Sequence, residues 1–221
     1  ALLLTHLHSD HVVDLYQLII SSWHSYRYKP WIIYGPKGTK KFVQSIMAAW
    51  REEREQRIKY ENRSSIKAFN IKVQEFKKYG KEKIKDLVFE YFEVDHRPVK
   101  YAYGFNFHHK KKKITISGDT KPCNNLMKYA QKTDLLLHEV FIEGELKLSN
   151  RMRSNKTLHN VKKYHTSSED VGKIAKISQA KKLVLTHFVP PQFNEKKLTN
   201  IIKKDFGKKP IIGKDLLNIT V

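Results

Sequence analysis

A single cysteine, Cys123, in 221 residues rules out an intrachain disulfide and allows a reducing compartment. No apolar run approaches the ~20 residues of a membrane span, so no membrane partner is expected. The chain shows no internal repeat, no low-complexity tail and no visible secretory leader. A cytoplasmic location is the expectation. Acidic residues are scarce beside basic ones: 22 Asp+Glu stand against 43 Lys+Arg, a net charge of +21. Such a balance favours anionic partners, whether nucleic acid, nucleotides, or phosphate and sulfate esters. Solvated lysine faces would give the same count, so charge alone names no partner. The length suits one domain over residues 1–221 with a sizeable core.

What the chain does have is concentrated at its start. Thr5-His6-Leu7-His8-Ser9-Asp10-His11 holds three imidazoles and a carboxylate. These are the ligand types that suit zinc and similar divalent ions. The preceding Ala1-Leu2-Leu3-Leu4 reads as a buried strand. Side chains alternate along a strand, so His6 and His8 share a face. Asp10 and His11 follow where the backbone can turn. Burying so many polar groups without partners would be costly, which argues for a shared ligand.

Five later segments carry polar reactive residues, four of them at the end of an apolar run and one before a helix. His96 follows Leu87–Val94. Ser117-Gly118-Asp119-Thr120 follows Ile114–Ile116. His138-Glu139 ends Leu135–Leu137. Tyr164-His165-Thr166-Ser167 precedes a helix, and His187 ends Leu183–Thr186. In layered α/β folds, sites form where strands end.

Between these lie the supporting elements. Phe42, Val43, Ile46, Met47, Ala49 and Trp50 fall at helical spacing, and the helix is expected to run on into the charged, exposed stretch Arg51–Arg57. Residues 68–107 read as strands, with Tyr101, Tyr103, Phe105 and Phe107 alternating as on a half-buried strand. His108–Lys113 reads as a basic hairpin tip with exposed histidines. A short helix is expected over 122–131 and an irregular basic loop over 141–164. Thr166-Ser167-Ser168-Glu169 reads as a capping box opening a helix over Glu169–Gln179. Val189-Pro190-Pro191 stops the strand after His187. A helix near Glu195–Lys204 and a strand near Pro210–Ile212 follow. His24 and His159 are expected to pack or lie on the surface rather than act as ligands.

The ordered motifs resemble those of the metallo-β-lactamase superfamily, over nearly the whole chain. The resemblance implies an α/β fold, the αββα sandwich, and a binuclear metal-dependent hydrolase. Because the chain begins without Met and inside a strand, the first strands of that sandwich are expected to be missing. Residue by residue, it implies one cation on His6, His8 and His96, a second on Asp10, His11 and His187, and Asp119 bridging the two. The ions would be two divalent cations, zinc first and manganese next. Asp10, His165, His138 and Glu139 are expected to take part in catalysis. His165 stands before a capped helix, where anions are favoured, and Glu139 is suited to orient an imidazole.

Within the superfamily, Asp119 in Ser-Gly-Asp-Thr, His138-Glu139-Val140-Phe141 and Tyr164-His165-Thr166-Ser167 are similar to the ribonuclease Z and arylsulfatase-like branch. Ribonuclease Z cuts precursor tRNA on the 3′ side of the discriminator position. The expected substrate is therefore an anionic ester, with precursor tRNA the leading candidate, and the branch admits a homodimer. Val140-Phe141 and Thr166-Ser167 depart from the ribonuclease Z motifs, and no Gly/Pro-rich arm is present. Trp50–Tyr60 and Thr186–Pro191 look closer to the arylsulfatase-like members. The alternative is accordingly a small phosphodiester or aryl sulfate hydrolase.

Overall fold

The computed structural model describes residues 1–145 and 154–221. Its contacts gather into two compact units, Ala1–Lys77 and Lys78–Val221. Among the described residues, no helix is long and apolar enough to cross a membrane.

The first unit is a run of β-α-β crossovers. Its elements are β1 (Leu2–Leu3), α1 (Ser9–Val12), α2 (Leu15–His24), β2 (Trp31–Gly35), α3 (Thr39–Ala49), α4 (Arg51–Glu61) and β3 (Ile71–Glu75). The three strands form a parallel sheet in the order β1-β2-β3, with Leu3 opposite Tyr34 and Trp31 opposite Ile71. Parallel neighbours need long connections, which α1–α2 and α3–α4 supply. α2 buries Leu15, Tyr16, Ile19, Ile20 and Trp23. That spacing puts one flank on Leu4, Ile33 and Val43 and the other on Ala68. The Gly35–Gly38 turn leads into α3 with Gly38 at φ 103°, a conformation glycine takes at little cost. Glu75 closes that helix end by accepting from Gly38 N and Lys40 N, both at 2.9 Å.

The helix expected to continue through Arg57 is broken at Trp50, whose φ −102° and ψ 23° are non-helical. Trp50 stacks on Tyr16 at 5.1 Å, and Arg54 donates to Met47 O at 2.7 Å, so side chains hold the two helices at the break. α4 buries none of its residues, in keeping with an exposed charged run.

The second unit holds β4 (Tyr79–Ile84), β5 (Leu87–Glu93), β6 (Tyr103–His109), β7 (Lys112–Ile116), α5 (Asn124–Tyr129), β8 (Leu135–Phe141), α6 (Asn155–Lys162), α7 (Ser168–Ile177), β9 (Lys182–Val189), α8 (Glu195–Phe206) and β10 (Ile211–Ile212). Its strands form one seven-stranded sheet in the order β10-β9-β8-β7-β6-β5-β4. β4 to β7 run antiparallel as a meander, while β7 to β10 run parallel. The chain is thus α/β with mixed sheets and flanking helices. The core joins Leu136, Val140, Leu183 and Leu185 of the sheet to Val171 and Ile174 of α7 and Leu198 and Ile202 of α8. α7 and α8 approach closely at Gly172, where an added Cβ would meet Ile202 O at 2.7 Å.

Several expected elements shift. On β6 the alternation does not separate buried from exposed: Gly104 and Asn106 are as buried as Tyr103 and Phe105. Asn106 is accommodated by its bonds to Thr115 and to Tyr129 O. Of the irregular loop expected over 141–164, Phe141 belongs to β8 and residues 146–153 lie outside the described residues. Its end folds as α6 because Ser154 Oγ accepts from Thr157 N at 3.1 Å. The capping box is displaced by one residue: α7 is capped by Ser167, which accepts from Asp170 N. The hydroxyl of Thr166 goes instead to Thr120 O at 2.6 Å. His24 lies beside Trp23 and 3.6 Å from Glu61, and His159 is exposed on α6.

Candidate metal centre

The first unit presents its histidines by a change of backbone type. His8 is still extended, at φ −66° and ψ 148°, and α1 starts at the next residue. His11 N donates back to His8 O at 3.1 Å. The turn folds the second half of the motif onto the first. The His6 ring lies 4.7 Å from that of His8 and 4.2 Å from that of His11. His6 is fully buried, with Nδ1 3.0 Å from Thr5 Oγ1. Asp10 is exposed and reaches His11 Nε2 at 3.5 Å.

The second unit gathers its residues by strand order. β7, β8 and β9 run parallel, so their C-terminal ends lie along one edge, and Asp119, Glu139 and His187 come from those ends. Gly118, at φ 60°, turns the chain after β7 into Asp119. His187 owes its place to an irregularity. The β8–β9 register steps from Glu139 opposite Thr186 to Val140 opposite Phe188, which leaves His187 as an extra residue at φ 45°. A bulge of this kind re-aims one side chain without ending the strand. His96 arrives from the loop after β5, and its Nδ1 lies 2.8 Å from Tyr164 O. Since a carbonyl only accepts, that ring atom donates and Nε2 is the atom turned to ligands.

Asp119 is nearly buried, with Oδ2 3.3 Å from His187 Nε2 and 4.0 Å from His96 Nε2. Behind it, Glu139 is engaged at both oxygens. Oε1 accepts from Thr120 N at 3.0 Å and Thr166 N at 3.1 Å, and Oε2 is 3.0 Å from His165 Nδ1. Burial pushes the Glu139 carboxyl well above the usual range, and the charge of Asp119 adds to this; the two backbone N–H groups oppose it. His138, one residue earlier, points to the other face of β8. It is fully buried, its Nδ1 donates to Glu139 O at 2.7 Å, and burial pulls its pKa down to about 4.

Two triplets in this unit bring potential ligand atoms within 4.8 Å of one another: His96, Asp119 and His165, and Glu139, His165 and His187. Ligand atoms ~2.1 Å from a tetrahedral cation stand roughly 3.4 Å apart; the Asp119–His187 separation of 3.3 Å fits one, and the Asp119–His96 separation of 4.0 Å is wider. His138 belongs to neither triplet. Thr120 and Tyr164, whose backbone groups hold Glu139 and His96, were not expected among the site residues; adjacency to Asp119 and His165 was their only signal in the sequence.

Fold and centre together define a metallo-β-lactamase-fold protein with a histidine–aspartate centre. The fold matches that of the metallo-β-lactamase fold protein YhfI from Bacillus subtilis, with TM-score 0.70 at 18% identity over 96% of this chain and 74% of that one. It likewise matches human tRNase Z, short form, with TM-score 0.66 at 22% identity over 99% of this chain and 77% of that one. The chain belongs to the family described as "Anti-Pycsar protein Apyc1", which it matches over residues 1–197. In sequence it is 32% identical over 193 residues to a ribonuclease Z of Mycobacterium sp. (strain KMS), covering 86% of this chain and 66% of that protein. It therefore spans just under two thirds of that relative's length. The matches thus bear out the expected metallo-β-lactamase fold and a likeness in sequence to ribonuclease Z.

Proposed function

We propose that the chain carries the centre of a binuclear metal-dependent phosphodiester hydrolase resembling ribonuclease Z. The observation that carries this reading is the gathering of His96, Asp119 and the half-buried His187, with Asp119 Oδ2 3.3 Å from His187 Nε2 and 4.0 Å from His96 Nε2, beside buried Glu139 and His165. In this reading His6, His8 and His96 would hold one ion, Asp10, His11 and His187 would hold the other, and Asp119 would serve both. The donor set suits zinc first and manganese next. Two such ions would supply Lewis acidity at phosphorus and a water acidic enough to attack at neutral pH.

The protein's own groups do the rest. Tyr164 O and the backbone bulge hold His96 and His187 in place, so that little reorganisation accompanies binding. Glu139 fixes the His165 ring through Nδ1. His165 then presents Nε2 to the ester, where it delivers a proton to the leaving oxygen. Precursor tRNA is the substrate proposed first, in line with the ribonuclease Z relatives and the net charge of +21. The lack of a Gly/Pro-rich arm in the sequence favours a second reading, a hydrolase of small phosphodiesters. A homodimer is compatible with either.

The test compares a 3′-extended precursor tRNA, bis(p-nitrophenyl) phosphate and p-nitrophenyl sulfate, with zinc or manganese present, against Asp119→Ala and against chelator. The proposal expects phosphodiester cleavage that both treatments reduce by roughly three orders of magnitude, as loss of several kcal/mol of charge stabilisation would. Discrete tRNA cleavage selects the first substrate, and turnover of the small diester alone selects the second. Turnover insensitive to Asp119→Ala would sink the site assignment.

A further inference from the structure

Away from these residues, the segment Tyr26-Arg27-Tyr28-Lys29 has an uncommon backbone. α2 closes with a paired turn: Arg27 N donates to Ser22 O at 2.9 Å and Tyr26 N to Trp23 O at 3.0 Å. This helix ending needs a left-handed residue at the position of Tyr26, where glycine is the usual occupant. Tyr26 sits there at φ 61°, a conformation that a Cβ and a bulky ring disfavour. Packing does not compensate, because Tyr26 is 77% exposed and Tyr28 is 65% exposed. Two tyrosine faces are thus presented to solvent, one of them against backbone preference.

Cations surround them. The Arg63 guanidinium lies 5.8 Å from the Tyr26 ring and 5.0 Å from that of Trp23. The Lys29 ammonium is 5.4 Å from the Tyr28 ring, and Arg27 stacks on Trp31 at 3.9 Å. The nearby carboxylate Glu61 is held by Arg63 at 2.7 Å. Exposed π-faces interleaved with positive charge are the features that hold single-stranded nucleic acid, since every base has a face to stack and every linkage a charge to meet. We propose that Tyr26 and Tyr28 form a base-stacking platform for a single-stranded nucleic-acid segment, with Arg27, Lys29 and Arg63 attracting its phosphates. The platform deepens the first reading of the proposed function by assigning a place where an RNA substrate is held outside the centre. Its binding step does not depend on catalysis.

Binding is measured by fluorescence anisotropy of a labelled single-stranded oligoribonucleotide, with the full chain in chelator, alongside thermal unfolding. Tyr26→Gly should raise the unfolding midpoint, by relieving the backbone, and weaken affinity about tenfold. Tyr26→Phe should keep the affinity, because stacking needs the ring and not the hydroxyl. Tyr28→Ala should weaken binding by a similar factor. The platform variants should turn over bis(p-nitrophenyl) phosphate normally. Affinity unchanged in both Tyr26→Gly and Tyr28→Ala would overturn the proposal. So would affinity that falls only together with stability, or a platform variant that loses self-association while keeping its RNA affinity. Absence of any turnover by the wild type would count against the catalytic reading and leave the binding result standing.

Discussion

The two units supply candidate ligands in opposite ways. The first concentrates His6, His8, Asp10 and His11 in one short motif, and a strand-to-helix turn suffices to bring three rings together. The second draws His96, Asp119, Glu139, His165 and His187 from five separate segments, which sheet order and long-range hydrogen bonds bring together. A local motif needs few supports. A dispersed one needs a hydrogen bond or a backbone irregularity behind each side chain, and the second unit has one at each. Tyr164 O stands behind His96, Gly118 before Asp119, two backbone N–H donors around Glu139, Glu139 Oε2 behind His165, and a bulge at His187. The dispersed half should therefore be the one that changes remote from the ligands can damage.

The largest such effect is expected at Glu139. Glu139→Gln keeps the shape and an acceptor for Thr120 N and Thr166 N, but turns an amide donor toward His165 Nδ1. The ring is then driven to the other tautomer and loses the carboxylate that stabilises its protonated form. If His165 delivers a proton to the leaving oxygen, cleavage of an alkoxide-leaving RNA linkage should fall roughly 100-fold. Bis(p-nitrophenyl) phosphate, whose leaving group needs no proton, should fall only a few-fold. Equal losses on both substrates would remove His165 from that role.

Legibility in the sequence follows the same division. The contiguous motif was readable because strand alternation and a turn act over a few residues. The positions of His96, Asp119, His138-Glu139 and His187 were readable as well, because each follows an apolar run, and His165 because it precedes a capped helix. Their supports were not. Nothing local announces that Glu139 will face Thr120 and Thr166 N–H groups contributed from 19 and 27 residues away. The left-handed His187 depends on a register step between β8 and β9 that no pattern within β9 reveals. The helix break at Trp50 and the shift of the α7 cap from Thr166 to Ser167 have the same origin. In each, a tertiary partner (Tyr16 for Trp50, Thr120 O for Thr166) outweighs a local preference.

His138 sharpens the comparison on stability. It is fully buried and neutral, with a pKa of about 4 against an ordinary 6.5. The unfolded chain therefore takes up a proton at this position before the folded one does. Stability attributable to His138 is complete above pH 6.5 and is lost as pH falls toward 4, by on the order of 3 kcal/mol. Glu139, raised by burial, contributes with the opposite sign over part of that range, so the informative quantity is the difference between proteins. His138→Asn retains a donor for Glu139 O but does not titrate. In chelator, the urea-unfolding stability of the wild type should fall relative to His138→Asn between pH 6.5 and 4. Parallel curves would show that His138 is not held neutral by its surroundings.

The smallest effect is expected where the support is exposed. Asp95 precedes His96 and is bound by Arg97 Nε at 2.9 Å, while Lys121, two residues after Asp119, donates N to Asp95 O at 2.9 Å and places Nζ 3.3 Å from the carboxylate. Asp95 thus ties the loop carrying His96 to the loop carrying Asp119. Its carboxyl is held far below the usual range, chiefly by Arg97, so the tie persists to low pH. Asp95→Asn keeps the shape and removes the charge, but Arg97 is solvent-facing and salt screens such pairs. The backbone bond from Lys121 N survives the change. Turnover should accordingly fall no more than a few-fold, with the deficit shrinking at high salt, where the wild type has lost the same attraction. A loss as large as that of Glu139→Gln would mean that the charged tie, rather than the buried hydrogen bonds, sets the distance between His96 and Asp119.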